Sequence, residues 1–134
     1  MFDVLKGYFS IFITYNYFND LIYLSALICF IGHIFPIWLK FKGGKGVATY
    51  LGVILGISLN LGVVFGFTWI VIALIFRYSS LSSILGSMSV WIYSFFFPNE
   101  MQSYFTFFLF VIIIFTHKEN IIKLKSSKET KIKI

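Results

Sequence analysis

The sequence predicts an all-α fold: a polytopic integral membrane helical bundle of about six spans, one of which also fits a re-entrant half-span. Three observations predict it. Hydrophobic residues make up 59% of the 134-residue chain and charged residues only 12%, too apolar a balance for one soluble core of this size. The apolar residues gather in runs at 4–15, 21–39, 47–57, 61–76, 84–97 and 101–116. Basic residues sit at alternate run ends: Lys6, then Lys40, Lys42 and Lys45, then Arg77, then Lys118 through Lys133. The opposite turns hold Asp20 and Glu100. The positive-inside bias places the lysine-bearing turns in the cytoplasm.

Each run has its own limits. Residues 4–15 follow no cleavage pattern of a signal peptide and read as a retained span. Asn16, Asn19 and Asp20 separate them from 21–39, which carries the single cysteine, Cys29, in mid-span. One cysteine supports neither an internal disulfide nor a multi-cysteine metal site, so Cys29 reads as a small buried hydrophobe. Ser58 and Asn60 separate 47–57 from 61–76, and Pro98, Asn99 and Glu100 separate 84–97 from 101–116. Several runs fall short of the roughly 20 residues of an unassisted span, which calls for tilt, extension into the flanks, or a half-span at 47–57. Were 47–76 one helix, the tail with its six lysines and two glutamates would be translocated, against the charge bias. The expected organisation is one transmembrane domain over 1–134, with 117–134 a basic cytoplasmic tail. The net charge of +6 has a simple source in that tail, which is attracted to anionic lipid.

Glycine and lysine crowd together at one place, Lys40-Phe41-Lys42-Gly43-Gly44-Lys45-Gly46-Val47-Ala48-Thr49. Glycine permits positive φ and close approach of a ligand to the backbone, and consecutive amides in such a turn form an anion-binding nest. A nest leading into a helix N-terminus, with ammonium groups beside it, suits phosphate. Lysines at membrane boundaries commonly serve as topology anchors, and Lys40 fits that role. Lys45 does not, because an anchor needs no glycine on either side. The nucleotide P-loop is excluded, since Gly46 follows Lys45 where Mg²⁺ ligation needs Ser or Thr.

Two further polar clusters are expected on the cytoplasmic face. Arg77-Tyr78-Ser79-Ser80-Leu81-Ser82-Ser83 reads as a short turn, an arginine anchor followed by helix-capping serines. His117-Lys118-Glu119-Asn120 closes the last run; if the helix continues, His117 and Asn120 stand three apart on one face.

Gly32-His33-Ile34-Phe35-Pro36, Phe41 through Thr49, Arg77-Tyr78 with its serines, His117-Lys118-Glu119-Asn120-Ile121 and the opening Asp3-Val4-Leu5-Lys6-Gly7 together resemble the bacterial acyl-phosphate:glycerol-3-phosphate acyltransferase family. The likeness runs the length of the chain in order. It implies a seven-helix inner-membrane enzyme that moves a fatty acyl group from acyl phosphate to the 1-hydroxyl of glycerol 3-phosphate, giving lysophosphatidic acid and phosphate, with its site on the cytoplasmic face. By motif position, Lys42, Gly43, Gly44, Lys45, Gly46 and Thr49 are implied to bind substrate phosphate. His117 and Asn120 match the third motif, with Glu129 further along it. A functional serine falls at Ser83 or Ser80, in the turn after Arg77. The family's first helix and its serine- and glycine-rich first motif precede the segment that begins at Asp3, so the chain by itself is expected to turn over poorly. Lys118 and Lys123 stand where arginine is usual, and Ser127 where glycine is usual.

The residue types suit this chemistry. Acyl phosphate is an activated mixed anhydride, so no covalent acyl-enzyme is needed; positioning of two anions and stabilisation of developing charge suffice. Either His117 or a substrate phosphate takes the hydroxyl proton. No cofactor, metal or nucleic acid is expected; membrane lipid is, and the oligomeric state is left open. The alternatives are a small anion channel or carrier, disfavoured because spans 21–39, 47–57, 61–76 and 84–97 hold no charged residue at depth, and an inactive fragment of the acyltransferase.

Overall fold

The structure, a computed structural model, describes residues 2–36, 43–96 and 99–133. Its helices are α1 (Phe2–Tyr17), α2 (Ile22–Ile34), α3 (Val47–Ile57), α4 (Leu59–Phe76), α5 (Ser79–Ser94), α6 (Glu100–Thr116) and α7 (Lys118–Lys125), with a 3₁₀ turn at Asn19–Leu21 before α2. All regular structure among the described residues is helical, as the composition predicts. The chain divides into two compact units, Met1–Val63 and Val64–Ile134, with the boundary inside α4.

Backbone contact organises the first unit. A side chain at Gly7 would place Cβ 2.7 Å from the Thr49 carbonyl oxygen and 3.0 Å from Val53 N, and one at Gly52 would collide with the Val4 carbonyl. The two glycines therefore let α1 and α3 touch along their backbones, the close-packing device that substitutes for hydrophobic force within lipid. Gly56 instead leaves room for the Ile11 side chain. Between α1 and α2, Ser10 Oγ lies 2.9 Å from Ser25 Oγ and Thr14 Oγ1 donates to Ser25 Oγ over 2.9 Å. Ile11, Ala26, Phe30, Tyr50, Val53 and Ile54 are fully buried behind them.

The second unit is knit through serine. The buried residues of α5 are Ser80, Ser82, Ser83, Gly86, Ser87, Val90 and Ser94, all small, and all but Ser82 fall on one face at spacings of three and four. Ser94 Oγ pairs with Thr106 Oγ1 at 3.0 Å, and Ser103 Oγ donates to the Ser94 carbonyl at 3.0 Å, joining α5 to α6. Trp91 stacks on Phe110.

Three element boundaries differ from expectation. The second run extends on paper to residue 39, but α2 ends at Ile34 because Pro36 disfavours helix at the residue before it, and Phe35 sits at φ −120°, ψ 61°. Residues 37–42 lie outside the described residues. Serines 79–83, read as a turn with caps, are instead the first turns of α5, whose N-cap Tyr78 makes no side-chain cap bond. Ser82 and Ser83 satisfy their hydroxyls on the carbonyls of Tyr78 and Ser79, at 2.8 and 2.9 Å, so the helix tolerates them. Finally, the last helix does not run on straight: α7 bends by 63° from α6 at His117.

Helix length bears on the spans. Among the described residues, α4 alone is long and apolar enough to cross a bilayer unaided. At 1.5 Å per residue, α3 reaches only ~16 Å, about half of the hydrocarbon core, and Ser58 in extended conformation (φ −158°, ψ 126°) breaks it from α4. Apolar side chains stay exposed, Phe67 at 70% and Phe115 at 69%, as lipid-facing surfaces require.

Candidate functional site

The glycines of the 43–46 loop answer three different demands. A Cβ on Gly43 would collide with the carbonyl oxygens of His33 and Ile34, where the returning chain crosses the end of α2. At Gly44, a Cβ would lie 2.7 Å from His33 Nε2. Gly46 is left-handed, φ 83°, and its Cβ would sit 2.7 Å from Phe30 Cε2 and 3.1 Å from Ile34 Cγ1. As N-cap of α3, Gly46 accepts Tyr50 N–H at 2.7 Å but has no side chain to bond the first-turn amides. Such amides, near the positive end of the helix dipole, are ready donors for an anion, and Lys45 is exposed beside them. Thr49 is fully buried against α1, and its Oγ1 has no hydrogen-bond partner among the described residues. Lys42 lies outside the described residues, as does Lys40.

The loop rests on a group that sequence reasoning gave no role. Lys6 Nζ is 2.7 Å from His33 Nδ1 and 2.9 Å from Asp3 Oδ1. The hydrogen bond from Lys6 holds the Asp3 carboxyl below the usual carboxylate range. The spacing of Asp3 and Lys6, three apart on a helix, is the one local signal that could have found the pair. Their joining to His33, 27 residues on, is tertiary and left no trace in the local pattern.

In the second unit the third-motif residues separate into two places. Asn120 Nδ2 and Ser80 Oγ both donate to Glu129 Oε1, over 2.7 and 2.8 Å. Ser83 takes the Trp69 indole N–H at 3.2 Å instead. Thus Ser80, of the two serine candidates, shares a partner with Asn120 and Glu129. His117 is 2% exposed and stands at the bend, with Nδ1 2.8 Å from the Ile113 carbonyl. A carbonyl only accepts, so Nδ1 carries the proton and Nε2 is the basic nitrogen of the neutral ring.

Two left-handed residues bring Glu129 to this cluster. Arg77, φ 61°, caps α4, and its carbonyl accepts Ile132 N–H at 2.7 Å. Ser127, φ 56°, ends α7 in a Schellman motif: Lys128 N–H bonds the Lys123 carbonyl at 2.8 Å and Ser127 N–H the Leu124 carbonyl at 3.2 Å. The chain then doubles back, with Lys131 Nζ 5.9 Å from the centre of the Tyr78 ring.

Known proteins resemble the chain over nearly its whole length. The family model for glycerol-3-phosphate acyltransferase matches residues 1–127. A glycerol-3-phosphate acyltransferase of Pelagibacter ubique is 48% identical over 133 residues, covering 98% of this chain and 69% of that one. Its counterpart in Ehrlichia canis is 43% identical over 134 residues, covering 97% and 69%. The crystal structure of PlsY, an integral membrane glycerol 3-phosphate acyltransferase, in its glycerol 3-phosphate form superposes with a TM-score of 0.88 at 31% identity, over 98% of this chain and 68% of that one. The lysophosphatidic acid form gives the same score over 96% of this chain. The chain is an integral membrane enzyme and belongs to the glycerol-3-phosphate acyltransferase family.

Proposed function

We propose that the protein transfers a fatty acyl group from acyl phosphate to the 1-hydroxyl of glycerol 3-phosphate at the cytoplasmic face of a bacterial inner membrane. The hydroxyl oxygen bonds to the acyl carbonyl carbon, the carbon–oxygen bond to phosphate breaks, and lysophosphatidic acid and inorganic phosphate leave. The carrying observation is the 43–46 loop: Gly43 packed on backbone carbonyls, a left-handed Gly46, an exposed lysine and an uncapped helix N-terminus in one turn. PlsY, the structural relative, is known in both a glycerol 3-phosphate and a lysophosphatidic acid form, which supports the same substrate and product here.

In this reading Gly43, Gly44, Lys45 and Gly46, flanked by Lys42, take a substrate phosphate, with Thr49 in the first turn of the helix they open. His117, protonated on Nδ1, accepts the hydroxyl proton on Nε2. Asn120, Ser80 and Glu129 form a fixed polar cluster beside Arg77, while Ser83 braces Trp69. Positioning and charge stabilisation supply the rate, since the donor is already activated. The alternation of lysine-bearing and acidic turns supports a cytoplasmic site and a basic cytoplasmic segment over 117–134.

The donor is tested by stoichiometry. The chain in lipid vesicles, given labelled glycerol 3-phosphate and acyl phosphate, is expected to release one phosphate per lysophosphatidic acid formed, at whatever rate. Product from an acyl thioester, with none from acyl phosphate, would overturn this choice of donor.

A further inference from the structure

We propose that His33 is a further substrate-contacting residue, whose Nε2–H, oriented by Lys6 and Asp3, donates a hydrogen bond to the phosphate group held at Gly43–Gly46. The inference rests on the reading of that loop as the phosphate site. An ammonium only donates, so the 2.7 Å contact from Lys6 Nζ makes His33 Nδ1 the acceptor. The neutral ring then carries its proton on Nε2. Asp3 Oδ1 lies 2.9 Å from Lys6 Nζ and 3.4 Å from His33 Nδ1, closing a triangle in which the carboxylate holds the ammonium against the ring. Nε2 is also the ring atom nearest the loop: measured from the position a Gly44 Cβ would take, it lies at 2.7 Å, against 3.5 Å for Cε1 and 3.7 Å for Cδ2. The His33 side chain remains 17% exposed and Gly44 itself is exposed, so the pair is within reach of solvent and of a ligand at the turn.

The geometry also gives Gly44 a reason to be glycine, since any Cβ there would displace the imidazole tip. A histidine that served only as a wedge beneath the loop would need volume and not a donor at Nε2. Asparagine and glutamine separate the two roles, because the asparagine amide reaches the level of Nδ1 and the glutamine amide the level of Nε2.

Calorimetric binding of glycerol 3-phosphate, and separately of a non-hydrolysable acyl phosphonate, to the full chain in detergent tests this. His33→Asn should weaken phosphate binding about tenfold or more, the effect of losing a bond to a charged group. His33→Gln should weaken it less than about threefold on the same scale. The ligand arm in which the loss appears identifies whose phosphate His33 touches. Equal affinities for the two variants would overturn the proposal. Lys45→Ala is the control: if it leaves affinity unchanged, or the unsubstituted chain binds neither ligand, the loop reading fails and this inference with it. If Lys45→Ala weakens binding while the two His33 variants stay equal, only the role of His33 fails. Should the variants not fold, the ¹⁵N signals of His33 in the unsubstituted chain decide: a protonated Nε2 that shifts on saturation with phosphate is expected, and an unmoved one overturns the proposal.

Discussion

The polar regions of the two units meet the same backbone requirement by opposite means. Each needs left-handed residues to turn the chain. In the first unit the position is glycine, Gly46, packed so tightly on Phe30 and Ile34 that no side chain fits. In the second unit the two left-handed positions among the described residues carry side chains, Arg77 and Ser127, and the turn is secured by hydrogen bonds onto the Ile113, Arg77 and Lys123 carbonyls and onto Glu129. One region is shaped by what is missing from it, the other by what its side chains hold. Substitution should therefore damage the first by adding atoms and the second by removing them.

The largest effect expected is from Gly46→Ala. A left-handed non-glycine residue costs about 1–2 kcal/mol, and overpacking against Phe30 and Ile34 adds about 1–3 kcal/mol. The sum, about 2–5 kcal/mol, should appear as a lowered melting temperature in detergent together with loss of glycerol 3-phosphate binding. Gly66→Ala is the companion variant. A Cβ there meets nothing within 4 Å, and alanine's better helix propensity should hold or raise stability by up to about 1 kcal/mol. Comparable losses for the two would end the claim that Gly46 is sterically required.

The contrast also explains what could be read in advance. The apolar runs at 47–57, 61–76 and 101–116 fall within two residues of α3, α4 and α6, because a lipid-exposed helix must be apolar nearly all round and its polar breaks stand out. The glycine-lysine loop stood out by its crowding of residue types, although only Gly46 answers a local left-handed turn, while Gly43 and Gly44 answer contacts with His33 and Ile34. The start of α5 was not: a serine run looks like a turn until the hydroxyls are seen to bond backward within the helix. Pro36 ended α2 before its hydropathy did. The Asp3–Lys6–His33 group and the preference of Glu129 for Ser80 over Ser83 depend on segments brought together across 27 and 49 residues, which no local period records.

Next in size is Glu129→Ala, which removes the acceptor shared by Ser80 and Asn120. Ser80 is only 4% exposed, so an orphaned hydroxyl and amide should cost about 1.5–3 kcal/mol. The loss is expected to be local, seen as faster amide exchange over 126–133 with little change in the first unit. Glu129→Gln keeps an oxygen at the same place and should lose less than half as much. Equal losses for the two would mean that charge, and not the shared acceptor, holds the cluster.

The smallest effect runs the other way, at Ser127. With φ 56° in a complete Schellman motif, this position favours a residue without Cβ. Ser127→Gly removes a left-handed penalty of about 1–2 kcal/mol but gives the unfolded chain about 0.5–1 kcal/mol of extra entropy. The first term is larger, so the turn should gain about 0.5–1 kcal/mol. Because that turn directs Glu129 toward Ser80 and Asn120, slower amide exchange should extend from Lys128 to Ile132 and be abolished by adding Glu129→Ala. If the gain survived in the double variant, the turn and the carboxylate would be independent, and the second unit would be held by backbone shape as the first is.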